Sequence, residues 1–204
     1  TAGPGVTNCV TAMANAQLER APVLLIGGCA PRAQDDLGPL QGIAHVEIMR
    51  PVTRTSRTLR VADNVLRDLD KAYAAAAGDG GPPGPAYVEI PTDVLRETVP
   101  PKLVLPEWLA MKPPRRIPPD ADDVGLAAEI IGQAKRPLVL TGRGALAASP
   151  ELVRFLDRTG AVYLDTQESR NLVPAGHPSV VGAMRGRAMQ EADLAIVVGR
   201  KLDY

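Results

Sequence analysis

The chain has 204 residues with 23 basic and 23 acidic side chains, and 45% of its residues are apolar. A formal net charge of zero without a long single-sign run argues against a nucleic-acid partner. The longest apolar runs have the length of a strand, so we expect no membrane-spanning segment. The two cysteines, Cys9 and Cys29, are too few for a disulfide framework and predict reduced thiols in a cytoplasmic protein.

Short apolar runs alternate with helical patterns along the chain, which is typical of an α/β protein with parallel sheets covered by helices. Each predicted strand is rich in Val, Leu or Ile and is bounded by Gly, Pro or Asp. The predicted strands are 22–27, 85–90, 137–141, 161–165 and 194–199. The predicted helices are 5–19, 62–77, 122–134, 149–159 and 186–192.

The first predicted helix follows a glycine-rich turn, TAGPGVTN at residues 1–8. Glycines around Pro4 let the backbone approach a ligand closely, and the start of the helix offers N–H groups without intrahelical partners. The alternative is purely structural, in that Pro4 starts the helix and Asn8 caps or packs in its first turn.

Proline dominates the segment between the two halves of the chain, which excludes a helix interior or a central strand there. These prolines are Pro100, Pro101, Pro106, Pro113, Pro114, Pro118 and Pro119. We predict a semi-rigid interdomain linker at 98–120, held on a neighbouring surface by Trp108. The two domains would then be 1–97 and 121–204.

Four blocks of the sequence, in order, closely resemble the thiamine diphosphate (ThDP) enzymes of the acetolactate synthase and 2-hydroxyacyl-CoA lyase branch. The blocks are TAGPGVTN, GPAYVEIPTDV, KRPLVLTGRGA and ADLAIVVGRKLDY. This resemblance covers the whole chain and implies part of a pyrimidine-binding domain followed by most of a doubly wound central domain. It also implies an internal portion of a longer enzyme, which begins within the first domain and leaves the central domain incomplete.

For the first half, the resemblance implies that Thr1, Pro4 and Asn8 approach the aminopyrimidine of ThDP and the substrate. It assigns Gln41 to a catalytic position that reaches towards the bound intermediate in acetolactate synthases. The residue before it is Leu40 where those enzymes have phenylalanine, so we expect a different acceptor pocket. A solvated loop glutamine is the alternative.

For the second half, the resemblance implies that the turn of Gly142, Arg143 and Gly144 meets FAD or the ADP-like part of a CoA-related ligand. Arg185 would approach the nucleotide diphosphate, where a guanidinium can hold two phosphate oxygens, and Arg187 is a substitute for it. The alternative is a tight turn after a strand with surface arginines that bind no ligand.

The remaining polar motifs point to no metal site within this chain. Gly78, Asp79 and Gly80 spell GDG, but no asparagine follows at the metal-binding spacing, so we predict a turn. The resemblance places the magnesium motif in a third domain and the glutamate that protonates the aminopyrimidine upstream of TAGPGVTN. We interpret His177 as structural, and His45 either exchanges protons at the site or packs or is solvated.

The resemblance thus implies a ThDP- and magnesium-dependent lyase or transferase acting on 2-oxo acids or 2-hydroxyacyl-CoA thioesters, as a homodimer or homotetramer. Because half of the cofactor contacts are missing, we expect the chain alone to be inactive. The alternative is a non-catalytic FAD- or ADP-binding module or pseudo-enzyme. A Rossmann dehydrogenase is disfavoured, because the sequence has no GxGxxG followed by an acidic residue about twenty positions on.

Overall fold

The computed structural model describes residues 1–98 and 117–202. The chain divides into two compact units, Thr1–Pro114 and Arg115–Tyr204, and each contains a three-stranded parallel sheet packed against helices. The α/β prediction is therefore confirmed. Most of the predicted linker at 98–120, including Trp108, lies outside the described residues, and the domain limits stay predictions. In the described part of the chain, no helix is long and apolar enough to cross a membrane.

The helices of the first unit are α1 (Pro4–Thr7), α2 (Val10–Leu18), α3 (His45–Met49) and α4 (Val65–Ala77). Its strands are β1 (Val23–Cys29), β2 (Thr55–Thr58) and β3 (Pro85–Pro91). The middle strand β3 pairs with β1 on one side and with β2 on the other, all in parallel. The register aligns Val23 of β1 and Thr55 of β2 with the start of β3.

Strand β3 is buried along its whole length and separates two apolar clusters. Successive side chains of a strand point to opposite faces of the sheet. Val88 and Ile90 therefore pack in the cluster that includes the α4 alanines, whereas Tyr87 packs in the cluster with Val6 and Met13. Glu89, two residues after Tyr87, is directed to the same face as Tyr87.

The first unit differs from the sequence prediction in three places. The helix predicted at 5–19 is wrong as a single element, because the chain forms α1 and α2 with Asn8 and Cys9 between them. Helix α3 and strand β2 were not predicted. Strand β2 reads TSRT, which contains no Val, Ile or Leu, and α3 has only five residues, so neither has a clear periodic pattern.

The elements of the second unit are α5 (Ala121–Gln133), β4 (Pro137–Thr141), α6 (Ser149–Thr159), β5 (Val162–Leu164), α7 (Arg185–Glu191) and β6 (Leu194–Val198). All six match predicted elements to within two residues. In the sheet, β4 is the middle strand between β5 and β6. The buried core contains Val139, Leu156, Ala161 and Tyr163. Helix α5 begins after Asp120, whose carboxylate accepts the N–H of Asp122 at 2.9 Å.

Candidate functional site

The glycine-rich turn lies against the carboxyl-terminal end of β1. The N–H of Gly28 donates to the carbonyl of Thr1 at 2.8 Å. Gly3 has a positive φ of 57°, which favours glycine, and its carbonyl accepts the N–H of Val6 at 2.9 Å as α1 begins. Parallel α/β sheets bind their ligands at the carboxyl ends of strands, so the turn has the position of a binding site.

Thr1, Pro4 and Asn8, the residues that the resemblance assigns to the cofactor, are exposed at this turn. Gln41 is also exposed and has a positive φ of 61°. A Cβ atom on Gly3 would lie 2.5 Å from Cβ of Gln41, so Gln41 packs directly on the turn. The structure thus brings the segment with Gln41 to the glycine turn, while the roles of these four side chains stay predictions.

A buried histidine supports the turn from inside the unit. His45, the first residue of α3, is only 2% exposed. The N–H of Gly3 donates to Nε2 of His45 at 2.9 Å. Because a backbone N–H can only donate, Nε2 carries no proton, and the neutral ring has its proton on Nδ1. His45 therefore packs in the interior, as one of the alternatives predicted from the sequence, and it is not solvated.

The other nitrogen of His45 contacts a buried carboxylate. Its Nδ1 lies 2.9 Å from Oε2 of Glu89, which is 7% exposed. The Tyr87 hydroxyl donates to the same oxygen at 3.0 Å, and the Thr58 hydroxyl donates to Oε1 at 2.7 Å. Burying a charge is costly unless hydrogen bonds compensate, and these donors provide them. Burial and the nearby Glu89 carboxylate raise the pKa of Tyr87.

Sequence reasoning did not assign Glu89 a role, although a signal was present. Glu89 is the charged residue of the apolar block AYVEIP, which was predicted as a buried strand. A charge in a buried strand requires a hydrogen-bonding partner. In the structure that partner is Nδ1 of His45, and Nε2 of the same ring accepts the N–H of Gly3.

Ion pairs join the loops at the carboxyl end of this sheet. The backbone N–H and Nε of Arg32, after β1, donate to the two carboxylate oxygens of Asp93, after β3, at 3.1 and 2.7 Å. The side-chain hydrogen bond from Arg32 lowers the pKa of Asp93. Arg32 also pairs with Glu97, and Arg60 pairs with Asp35. These contacts hold the ends of β1 and β3 together.

Neither the cysteines nor an acidic cluster suggests further chemistry in the described residues. Cys9 and Cys29 are free thiols. Burial, followed by the nearby Glu89 carboxylate, raises the pKa of Cys29 to about 12, so its thiol stays protonated near neutral pH. Residues 78–80 form a turn after α4. Within the described ranges, no group of three His, Cys, Asp or Glu residues is arranged to hold a metal ion.

In the second unit, two glycine turns meet at the carboxyl ends of β4 and β6. The N–H of Gly142 donates to the carbonyl of Val198 at 3.0 Å, and the N–H of Gly144 donates to the carbonyl of Gly199 at 2.9 Å. Gly199 has a positive φ of 63°, and a Cβ atom there would collide with the backbone of Gly144 and Ala145. The two turns therefore pack backbone against backbone.

The arginines assigned to a nucleotide lie at the same edge of the second sheet. Arg143 directly follows Gly142, and its Nε donates to Glu168 at 3.3 Å. The guanidinium of Arg185 donates to the carbonyl of Asp165, just after β5, at 2.9 Å. Arg187 pairs instead with Glu191, one helical turn further along α7. Arg143 and Arg185 thus lie near strand ends, and their role towards a ligand stays a prediction.

A chain of buried hydroxyl groups lies below the turn after β4. The hydroxyls of Thr141 and Tyr163 are 2.9 Å apart, and Thr141 donates to the Ser169 hydroxyl at 2.9 Å. Ser169 in turn donates to the carbonyl of Thr141 at 3.0 Å. This network fixes the end of β4, from which Gly142 extends. His177 contacts Asp157 of α6 through Nε2 at 3.2 Å and accepts the N–H of Ser179 at Nδ1.

Two family models match the chain in the order of the two units. Residues 1–48 match the N-terminal TPP binding domain of thiamine pyrophosphate enzymes, and residues 124–204 match their central domain. Thiamine pyrophosphate (TPP) is another name for ThDP. The family resemblance read from the four sequence blocks is confirmed by these matches.

The similar proteins are named either 2-hydroxyacyl-CoA lyases or acetolactate synthases. The chain is 32% identical to human 2-hydroxyacyl-CoA lyase 1 over 99% of this chain and 35% of the human protein. It is also 32% identical to the acetolactate synthase large subunit IlvG of Mycobacterium tuberculosis, over 100% of this chain and 37% of that protein. The chain thus spans little more than a third of the length of these curated relatives. It belongs to the thiamine pyrophosphate enzymes, of which it carries N-terminal and central domain segments.

Proposed function

We propose that this chain is a portion of a ThDP-dependent lyase or carboligase that acts on 2-oxo acids or 2-hydroxyacyl thioesters. The contact between Gln41 and Gly3 at the carboxyl end of β1 carries the proposal, since it joins a candidate substrate residue to the cofactor-binding turn. When bound, ThDP supplies the carbanion chemistry that breaks or forms a carbon–carbon bond. The residues of this chain supply binding and orientation.

The side chains at the turn fit one face of an aminopyrimidine ring. Thr1 and Asn8 offer an exposed hydroxyl and an exposed amide, which can hydrogen-bond to ring nitrogens or an amino group. Pro4 and the 93% exposed Leu40 offer apolar surface nearby. Apolar surface with a few directed polar groups is the usual composition of a cofactor site. We propose that Thr1, Pro4 and Asn8 contact the pyrimidine.

Gln41 is proposed to contact the substrate. Its amide can donate to the carboxylate of a 2-oxo acid or to the carbonyl of a thioester. Leu40 gives this part of the pocket an aliphatic wall. A 2-hydroxyacyl-CoA lyase and an acetolactate synthase each match this chain with 32% identity, so we propose both substrate classes. Turnover assays with a substrate of each class distinguish them.

The decisive experiment titrates ThDP with magnesium into the full-length protein and then measures turnover of pyruvate and of a 2-hydroxyacyl-CoA. We expect ThDP to bind and one substrate class to react. Gln41→Ala is expected to lower kcat/KM by roughly tenfold or more while the Kd for ThDP changes little. Gln34→Ala, at another exposed glutamine of the same loop region, is the matched control. Failure of the full-length protein to bind ThDP, or equal effects of the two variants, contradicts the proposal.

The second unit is proposed to hold a nucleotide, either FAD or the ADP part of a CoA-related ligand. Turn 142–144 packs closely on Gly199 at the carboxyl end of β4, with Arg143 and Gly144 exposed, and the exposed Arg185 lies at that edge as well. Guanidinium groups bind diphosphates well because they can donate two parallel hydrogen bonds. The proposed assembly is a homodimer or homotetramer, with magnesium as the partner ion of ThDP.

A pair of arginine variants tests the nucleotide site. We expect Arg185→Ala to weaken binding of ADP or FAD by roughly tenfold, whereas Arg187→Ala leaves it unchanged, because Arg187 is paired with Glu191. Equal effects of the two variants contradict the assignment of Arg185. A full-length protein that binds ADP or FAD but not ThDP would instead be a non-catalytic nucleotide-binding module.

A further inference from the structure

We propose that His45 is a positioning residue whose unprotonated Nε2 sets the orientation of the glycine turn and of Gln41. The inference rests on the proposed function for the role of that turn. His45 is buried and does not reach the exposed surface where Thr1, Pro4 and Asn8 lie. It acts through the N–H of Gly3, which donates to Nε2 at 2.9 Å.

Strands β2 and β3 anchor the inner end of this arrangement. Glu89 of β3 is held by the hydroxyls of Tyr87 and Thr58, which lie on β3 and β2. Its Oε2 lies 2.9 Å from Nδ1 of His45. The Nδ1 proton is thereby directed at a carboxylate that the sheet fixes, and Nε2 is left as an acceptor. The carboxylate of Glu89 thus determines which ring nitrogen carries the proton and which one accepts from Gly3.

Gly3 transmits this constraint to the two segments of the proposed site. Its carbonyl accepts the N–H groups of Val6 and Thr7, so the direction of α1 depends on how Gly3 is held. Its Cα packs so closely on Gln41 that a Cβ atom would not fit. A rotation of the Gly3 peptide would therefore move both α1 and Gln41.

The geometry also defines what breaks the arrangement. A proton on Nε2, in the other tautomer or in an imidazolium, would direct an N–H at the N–H of Gly3. Two titratable groups on β3 belong to this arrangement, since Glu89 contacts Nδ1 of His45 and the Tyr87 phenol donates to Oε2 of Glu89. Cys9 packs on the same cluster, and its thiol donates to the carbonyl of Gly5 at 3.6 Å. With Nε2 protonated, the Gly3 amide would have to turn away from the ring, and the turn would lose its present orientation.

A spectroscopic test on the full-length wild-type protein needs no cofactor. Long-range proton–nitrogen correlation of nitrogen-15-labelled protein distinguishes a protonated from an unprotonated ring nitrogen. We expect Nε2 of His45 to be unprotonated and Nδ1 to be protonated near neutral pH, and the Gly3 amide proton to exchange slowly with solvent. A protonated Nε2, or rapid exchange of the Gly3 amide, overturns the proposal whether or not ThDP binds.

Two substitutions of His45 then test the effect on the site. In His45→Gln, the amide oxygen can reach the position of Nε2 and accept from Gly3, whereas the shorter side chain of His45→Asn cannot. We expect His45→Asn to weaken ThDP binding by about tenfold and His45→Gln to retain most of the affinity.

The variants also separate the two proposals. If wild-type protein binds ThDP and both variants bind it as tightly, or both lose the same affinity, His45 is not a positioning residue and the proposed function stands. If the wild-type protein binds no ThDP, the proposed function fails, and the spectroscopic result still decides the state of His45. Should His45→Asn not fold, the spectrum of the wild-type protein remains the test.

Discussion

Tyr87 donates a hydrogen bond to Glu89, two residues further along β3, at 3.0 Å. Residues two apart on a strand point to the same face of the sheet. The phenol and the carboxylate therefore meet on the face that packs in the cluster with Val6 and Met13. The same carboxylate oxygen contacts His45. Tyr87 therefore contributes to holding the buried Glu89 side chain in place and, through His45, to the support of the glycine turn.

Tyr87→Phe is expected to destabilise the protein by roughly 1.5–3 kcal/mol, because it removes a hydrogen bond to a buried charged group and retains the ring. The measurement is urea unfolding near neutral pH. Tyr73→Phe is the matched control, since Tyr73 is 46% exposed and its loss of a hydroxyl should cost less than about 0.5 kcal/mol. A free energy of unfolding that is equal for the two variants would show that the Tyr87 hydrogen bond contributes nothing net.

Alkaline pH should lower stability through Tyr87 and Cys29. The pKa of each is raised in the folded state, to about 12 for Cys29, mainly by burial and then by Glu89. Between the unfolded and the folded pKa of such a group, the folded state binds more protons, so stability falls as pH rises. The free energy of unfolding should begin to fall at about pH 9 because of the thiol and at about pH 10 because of the phenol.

The check is the free energy of unfolding as a function of pH for the wild-type protein, Cys29→Ala and Tyr87→Phe. We expect a shallower alkaline decline in each variant, with Cys29→Ala changing the earlier part of the curve. Tyr73→Phe, at a phenol that is 46% exposed, is the fourth protein and serves as the control. An alkaline slope that is the same in all four proteins contradicts the buried, protonated state of both groups.

The sequence predicted the apolar strands of both units but not the polar parts of the first. Strands such as β3 and β4 are short apolar runs that adjacent residues reveal. Strand β2 is TSRT, and it becomes a strand only because β3 offers free backbone groups beside it. The strand propensity of these four residues does not reveal that they pair with β3.

The same distinction applies to the candidate site. Gln41 could be assigned from its local resemblance to a family position, and the structure places it on the glycine turn. The contact between His45 and Glu89 joins residues 44 positions apart. It depends on how α3 packs on β3, and no pattern in either segment names the other. A charged residue in a predicted buried strand indicates that a partner exists, but not which one.

Gly3→Ala should disturb the site as well as the stability of the first unit. Gly3 combines a positive φ with a close approach to Gln41, whereas Gly80 has a positive φ of 74° and open space around it. Both alanine variants carry a backbone cost of roughly 1–2 kcal/mol. Only Gly3→Ala must also displace Gln41, so we expect a larger loss of stability and weaker ThDP binding. Urea unfolding and ThDP titration of the two full-length variants test this expectation, and equal losses would contradict the close packing on Gln41.

Gly199→Ala should destabilise the second unit in the way that Gly3→Ala destabilises the first. Gly199 and Gly160 have nearly the same positive φ, 63° and 62°, so the backbone cost of an alanine is similar at both positions. A Cβ atom on Gly199 would collide with the backbone of Gly144 and Ala145, whereas one on Gly160 meets nothing within 4 Å. Backbone atoms cannot move aside as a flexible side chain can, so the turn after β4 must separate from the turn after β6.

We therefore expect Gly199→Ala to destabilise the protein by about 1–3 kcal/mol more than Gly160→Ala, the usual cost of overpacking. Because turn 142–144 carries Arg143, Gly199→Ala should also weaken binding of ADP or FAD, and Gly160→Ala should not. Thermal unfolding with and without nucleotide measures both effects. If the two variants lose the same stability, the close contact between Gly144 and Gly199 does not exist in solution. If Gly199→Ala alone is destabilised but nucleotide affinity is retained, the contact holds the sheet together without shaping a nucleotide site.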